Sequence, residues 1–174
     1  MPDWPSILNP DRHILCTGGI QSVGQDLRGF LVGFSASAWP AANRAIYVPF
    51  SVQGIYVCQK IFWANGTTSG NIDAGVYDVN QKRLLSIGST AQSGATAIQS
   101  ATFSLTLYPG AYFFGLVMDN GTGQIFQAGT SAAAMGAMLQ TTQNTAFPLP
   151  DPAVMVAAAS GAVPLMGITN RSFI

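Results

Sequence analysis

Apolar and polar residues alternate through the middle of the chain with the two-residue period of a β-strand. The alternation is clearest over residues 97–107, where apolar side chains from Ala101 to Leu107 share one side and Ser and Thr share the other. Turns rich in Gly, Asn and Pro, such as Pro109-Gly110, separate runs of this kind. The pattern predicts strands over residues 44–50, 55–63, 71–79, 84–87, 97–107, 111–119 and 124–127.

One of these strands has an irregular pattern. In the strand predicted over residues 55–63, alternation places Val57, Ile61 and Trp63 on one face. Gln59 falls on the same face and interrupts its apolar character. The opposite face carries aromatic and charged residues together, so neither face of this strand is expected to be purely solvated.

Six or more short strands with almost no helix between them predict an antiparallel β-sandwich or barrel. We divide the chain into an irregular N-terminal arm over residues 1–42, a β-sandwich core over 43–128 and a C-terminal part over 129–174. The C-terminal part is expected to form a short helix over 131–140 and then an extended arm ending in an edge strand over 163–168. Because the terminal segments are apolar yet broken by Pro and Gly, we expect them to lie along neighbouring subunits.

Charged residues make up only 8% of the sequence, and the formal net charge is zero. Globular domains carry roughly 25% charged residues, so a soluble monomer of this composition would have a poorly protected surface. Either a membrane or a protein assembly should therefore cover it. The best apolar stretch, over residues 153–168, is too short and too interrupted for a membrane helix. We expect assembly and no membrane insertion.

The composition also narrows the partners and the compartment. Without clustered Lys and Arg, nucleic acid is not an expected partner. Cys16 and Cys58 lie far apart and lack the spacing of a disulfide framework, which fits synthesis in a reducing compartment. The first residues lack the basic and apolar regions of a signal peptide, so we expect synthesis in the cytoplasm.

Residues suited to catalysis are few. His13 is the only histidine, and no G-x-S-x-G motif accompanies it. Asp73 and Asp78 lie five positions apart on one predicted strand, so their carboxylates should point to opposite faces rather than act as a pair. One histidine and two distant cysteines also disfavour zinc. We therefore expect no enzyme activity, no catalytic residue and neither a metal nor another cofactor.

Three segments of the chain form a further pattern: they read SAWPAANRAIYVPF over residues 37–50, SGNIDAGVYD over 69–78 and LYPGAYF over 107–113. These segments resemble ones found in proteins of tailed bacteriophages. The pattern is similar to jelly-roll modules of phage virions, in tail fibres and in capsid decoration proteins. The resemblance covers residues 37–128 and consists of strand and turn positions, so it implies no particular binding residues.

This resemblance implies an all-β protein, an antiparallel jelly-roll-like β-sandwich that serves as a non-enzymatic structural subunit of a virion. It implies synthesis in the host cytoplasm and contacts with other virion proteins and with copies of the chain itself, so we expect a homo-oligomer. A tail fibre or appendage is the first interpretation, because the module is also similar to glycan-binding sandwiches. A capsid decoration protein is the alternative.

A glycan- or receptor-binding module is a further alternative, with a host-surface glycan as its partner. Sugars stack on exposed aromatic faces that are flanked by Asn or Asp. Trp63 and Tyr77 lie on neighbouring predicted strands, and Asn65 and Asp78 are close to them in sequence. In the competing interpretation the aromatic rings fill the core or an intersubunit contact, where each would bury about 150–250 Å². The packing interpretation is the favoured one.

Overall fold

The computed structural model describes residues 13–15, 34–130, 140–158 and 161–170. All helix or strand structure in these ranges is β-strand, and the strand pairs are antiparallel. The strands are β1 (His13–Leu15), β2 (Ser35–Ala38), β3 (Ala45–Val52), β4 (Tyr56–Ala64), β5 (Asn71–Asp78), β6 (Arg83–Ser86), β7 (Thr90–Ala91), β8 (Ile98–Leu107), β9 (Gly110–Met118), β10 (Gln124–Thr130), β11 (Thr141–Gln143), β12 (Val156–Ala157), β13 (Gly161–Pro164) and β14 (Met166–Thr169).

These strands form three sheets. A four-stranded sheet has the order β1-β14-β4-β8, and a seven-stranded sheet has the order β12-β11-β3-β9-β5-β6 with β7 beside β5. A three-stranded sheet has the order β13-β10-β2. The chain passes between the two larger sheets at short turns, from β3 to β4 and from β8 to β9. These turns place β4 opposite β3 and β8 opposite β9, so the two larger sheets lie face to face.

The main hydrophobic core lies between the four-stranded and seven-stranded sheets. Its side chains come from β3, β5 and β9 on one side and from β4 and β14 on the other. Ile61 and Trp63 of β4 and Phe114 of β9 are fully buried within it. Each large apolar side chain removed from water contributes about 1.5–3 kcal/mol, so this cluster is the principal source of stability.

The strands predicted from alternation are all present, with ends shifted by no more than a few residues: they are β3, β4, β5, β6, β8, β9 and β10. The prediction of an all-β protein with antiparallel sheets is confirmed, and the arrangement is consistent with a β-sandwich. In β8 the predicted alternation appears directly in the burial, because Ala101, Phe103 and Leu105 are half-buried whereas the Ser and Thr residues between them are exposed.

The face assignment within β4 is wrong for half of the strand. The register between β4 and β8 shifts between Cys58 and Lys60. Before the shift, Tyr56 and Cys58 point into the core and Val57 is exposed, whereas after the shift Ile61 points into the core. A β-bulge adds a residue to one strand of a pair and thereby exchanges inward and outward positions, which regular alternation cannot anticipate.

The segment predicted to be an irregular N-terminal arm contributes strands to the sheets. β1 pairs with β14, and β2 pairs with β10. The helix predicted over residues 131–140 lies outside the described residues except for Gln140, which is not helical. Among the residues that the structure describes, no helix is long and apolar enough to span a membrane.

The predicted edge strand over residues 163–168 proves to be two strands, β13 and β14. The edge assignment is wrong for Met166–Thr169, because β14 lies between β1 and β4. Met166 and Ile168 are fully buried in the main core. Pro164, which lacks a backbone N–H, is accommodated because it ends β13, a strand at the edge of the three-stranded sheet.

Candidate functional site

The residues considered for glycan binding do not form an exposed site. Trp63, Asn65 and Tyr77 are fully buried, and Asp78 is partly exposed. Trp63 belongs to the main core, whereas Tyr77 belongs to a second hydrophobic cluster built around other residues of β3, β5 and β9. Neither aromatic ring presents a face on which a sugar could stack, so both rings act in packing.

Asn65 joins a network of amide side chains at one end of the sandwich. Its Nδ2 donates to the carbonyl oxygen of Ser93 at 2.6 Å and to Oε1 of Gln99 at 2.8 Å. Its Oδ1 accepts a hydrogen bond from Nε2 of Gln92 at 3.0 Å. Gln92 Nε2 also donates to the carbonyl oxygen of Gln124 at 2.8 Å. The side-chain amide of Asn65 therefore links loops of its own domain through hydrogen bonds.

Asp78 ends β5 and binds the turn that follows it. Its Oδ1 accepts hydrogen bonds from the backbone N–H groups of Asn80 at 2.8 Å and Lys82 at 3.0 Å. Gln81 within this turn has a positive φ of 65°. The interpretation of Asp78 as a residue that stabilises its own turn is confirmed.

The most elaborate set of polar contacts lies on the other side of the seven-stranded sheet, under residues 144–155, which we call the strap. The strap has no regular secondary structure and contains two cis X-Pro peptide bonds. It closes over the second hydrophobic cluster, whose buried members are Ala45, Tyr47, Tyr77, Val117, Ala146, Leu149 and Ala153. The seven-stranded sheet is thus covered on both faces, by the four-stranded sheet and by the strap.

Leu149 is the anchor of the strap. Its side chain is almost completely buried, its N–H donates to Oδ2 of Asp73 at 2.9 Å, and its carbonyl accepts a hydrogen bond from Nη1 of Arg83. Gly75 makes room for it, because a Cβ atom at that position would lie 2.9 Å from Leu149 Cδ1 and would also collide with the carbonyl of Leu85. Both backbone polar groups and the side chain of Leu149 are therefore bound by the sheet.

Two tyrosines extend the attachment on either side of Leu149. The rings of Tyr47 and Tyr77 meet edge to face with centroids 5.3 Å apart. The Tyr77 hydroxyl donates to the carbonyl oxygen of Pro150 at 2.7 Å, and the Tyr47 hydroxyl donates to Oε1 of Gln143 at 3.1 Å. Burial raises the pKa of Tyr47 to about 12 and raises the pKa of Tyr77 as well. Both hydroxyls therefore remain protonated donors at neutral pH.

Asp73 lies at the centre of these contacts. Besides Leu149, it binds Ser86, whose Oγ lies 2.9 Å from Oδ1 and 2.8 Å from Oδ2. Burial raises the pKa of the Asp73 carboxyl; hydrogen bonds from Ser86, Leu149 and Gly88 and the charge of Arg83 oppose this rise without cancelling it. Ser86 Oγ also accepts a hydrogen bond from the N–H of Gly88 at 3.0 Å. The serine is thus held in place on both its donor and acceptor sides.

An open groove of about 610 Å³ lies beside the strap and is lined by residues of β6, by Gly88 and by Pro148 and Asp151. The charged residues that line the groove, Arg83 and Asp151, form hydrogen bonds within the chain. Arg83 holds the strap carbonyl of Leu149, and Oδ1 of Asp151 accepts a hydrogen bond from the backbone N–H of Arg83 at 3.0 Å. No group of three or more His, Cys, Asp or Glu residues within the described parts of the chain could hold a metal ion.

Sequence reasoning missed the strap and its anchor. In the sequence Asp73 is a candidate partner of Asp78, but a carboxylate in the interior of a strand, between Ile72 and Ala74, is also typical of a buried polar anchor. Gly75 in the interior of the same strand was the second available signal, because such a glycine marks the close approach of another segment.

The fold and the strap define an all-β protein with antiparallel sheets, consistent with a β-sandwich, in which one sheet is covered by an intramolecular segment. No protein-family model matches the chain, and no curated protein is detectably similar to it.

Proposed function

We propose that this chain is a non-enzymatic structural subunit of a tailed-phage virion, a jelly-roll-like sandwich placed in a tail fibre or appendage. The observation that carries the proposal is that the candidate polar residues form hydrogen bonds within their own domain. Asn65, Asp73 and Asp78 bind loops, the strap and a turn of their own domain. Polar groups committed in this way fix a shape instead of recognising a ligand, and a fixed shape is what an assembling subunit requires.

The surface supports an assembly role. The chain carries few charges, and several large apolar side chains are exposed: they are Ile55, Val57, Val79, Leu84, Tyr108, Val154 and Val156. Interface centres are depleted in charged residues in the same way. A subunit covered by copies of itself and by other virion proteins would not depend on charges for its solubility.

A capsid decoration protein remains the alternative position in the particle. The resemblance of residues 37–128 applies to appendage and decoration modules alike, and a charge-poor sandwich suits either place. In either position the proposed role is the same: the chain packs against neighbouring subunits and catalyses no reaction.

Immunogold labelling of purified particles with an antibody against this chain tests the proposal. We expect label on the tail or its fibres. Label confined to the head would replace the appendage by the decoration alternative. An absence of label from intact particles, with the chain abundant in the lysate, would refute a virion role altogether.

A further inference from the structure

The strand β8 lies at the edge of the four-stranded sheet. It spans Ile98–Leu107, ten residues, and it pairs with β4 along one side. Among the described residues, no strand pairs with its other side. A strand in this position presents a row of backbone N–H and C=O groups to which another strand can bind.

Soluble proteins usually protect such an edge with charged residues, proline, a very short strand or a β-bulge. β8 has none of the first three, and its one irregularity is the register shift against β4. It contains no Asp, Glu, Lys, Arg or Pro, and at ten residues it is the longest strand that the structure describes. Its outward side chains, from Ser100 to Thr106, are small hydroxyl residues that do not obstruct an approaching strand.

The opposite sheet extends beyond β8. Since β8 lies opposite β9, the seven-stranded sheet continues past it with β5 and β6, whereas the four-stranded sheet ends. At this side of the sandwich Leu85 and Ile87 from the larger sheet, and Phe103 and Leu105 of β8, pack against the main core but stay only half-buried. A strand added to β8 would lie over Leu85 and Ile87 and complete the sandwich.

We propose that the free edge of β8 binds β8 of a second copy of this chain, antiparallel, with the two-fold axis at Phe103. In this register Leu105 lies opposite Ala101 of the second copy, and Ser104 lies opposite its Thr102. From Ala101 to Leu105 inward apolar positions therefore meet apolar positions, and from Ser100 to Thr106 outward hydroxyl positions meet hydroxyl positions. Outside this stretch Leu107 lies opposite Gln99 of the second copy. A register displaced by one residue would set each apolar side chain against a hydroxyl one.

The same register accounts for an exposed aromatic residue. Tyr108, which follows β8, is 62% exposed. With the axis at Phe103, Tyr108 lies opposite Ile98 of the second copy, and both belong to the outward-facing series of alternate positions. The contact would cover the tyrosine with an apolar neighbour at each end of the paired strands.

The register shift between β4 and β8 does not disturb this pattern. Between Leu105 and Thr102, β8 carries one residue more than β4 does between Cys58 and Lys60. The alternation of half-buried and exposed side chains in β8 nevertheless runs unbroken from Ala101 to Leu105. The free edge thus keeps the alternation that pairing with a second copy requires.

A second copy is the favoured occupant because the pattern is complementary to itself and carries no charge that would select a different partner. The β8 edge would be one of the surfaces through which the chain assembles, so this inference rests on the proposed function. Its test uses the purified full-length chain alone, so a failure of the virion role and a failure of this surface are separate results.

The test introduces charged residues at two exposed positions of β8 and measures dimerisation by sedimentation equilibrium. Thr102→Lys with Ser104→Lys places like charges opposite each other twice across the axis, and we expect the dimer dissociation constant to rise about tenfold. Thr102→Lys with Ser104→Glu places opposite charges there, and the dissociation constant should return close to that of the unmodified chain. Thermal unfolding followed by circular dichroism confirms that both variants fold.

Three results would overturn the proposal. The unmodified chain could remain monomeric at the highest soluble concentration. A dimer could form that does not respond to the double lysine variant, which would place its interface elsewhere. The lysine–glutamate variant could weaken the dimer as strongly as the double lysine variant, which would exclude the register centred on Phe103.

Discussion

Asp73 is a carboxylate in the interior of a protein that carries very few charges. An isolated buried charge is costly, and the cost is reduced only where donors surround it. Here the donors come from Ser86 of β6 and from Leu149 of the strap, which are far apart in the sequence. Asp73 therefore joins a sheet edge to the segment that covers the sheet, and we assign it a structural role.

Removing the acceptor should be far more damaging than removing the charge. Asp73→Ala leaves the Leu149 N–H and the Ser86 hydroxyl without their partner in the interior, and we expect a loss of about 3 kcal/mol in the free energy of unfolding. Asp73→Asn keeps an oxygen for Leu149 and removes the desolvated charge, so its loss should be below about 1 kcal/mol. Urea unfolding measures both, and equal losses would contradict the role given to this carboxylate.

The stability of the fold should depend on pH through the same residue. Because burial raises the pKa of Asp73 above its ordinary value of 3.8, the folded state binds this proton more tightly than the unfolded chain does. This contribution is fully present below the ordinary value and is lost as the pH rises through the folded-state pKa. Relative to Asp73→Asn, the unmodified chain should therefore gain stability as the pH falls from 7 towards about 4. A difference independent of pH in urea unfolding would contradict this.

At the scale of elements, the strap acts as part of the sandwich, although a segment this rich in proline was expected to lie on a neighbouring subunit. Its Leu149 side chain is almost completely buried, whereas Val154 in the same segment is 64% exposed. We expect Leu149→Ala to lower the free energy of unfolding by about 3 kcal/mol. Val154→Ala, the matched control, should change it by less than about 0.5 kcal/mol. Equal effects in thermal or urea unfolding would show that the strap is not anchored.

The elements that could be predicted from the sequence are those with regular alternation. β8 and β5 follow the two-residue period and were located closely, because side-chain alternation is a local property of an extended chain. The inward face of β4 could not be predicted, since the shift near Lys60 depends on pairing with a distant strand. The interior position of β14 is also a property of pairing, which a short run broken by Pro and Gly does not reveal.

The candidate site was harder to predict than the fold. Trp63 and Tyr77 have the residue types of a sugar platform, and only their burial shows that they pack inside the protein. Leu149 has no distinguishing sequence feature, because its role arises from Gly75 and Asp73 on a strand more than seventy positions earlier. Polar contacts over such separations are set by the tertiary fold, and local patterns carry little information about them.

At the scale of the whole molecule, the C-terminal region completes the fold. Removal of residues 147–174 would take away the strap anchor, β13 and β14, and it would leave β4 without one of its two neighbours. We expect the shortened chain to lack a cooperative thermal transition and to lack near-ultraviolet circular dichroism. A shortened chain that folds cooperatively would instead support the view that this region is an arm for neighbouring subunits.

The central claim is that the chain works by packing into a particle. Peptide mass spectrometry of density-gradient fractions tests it most directly, because the method compares the amount of this chain with that of the major particle proteins. We predict that the chain sediments with intact particles at a constant ratio to those proteins across the peak. A chain that stays in the soluble fractions, with no fixed ratio to the particle proteins, would contradict the account.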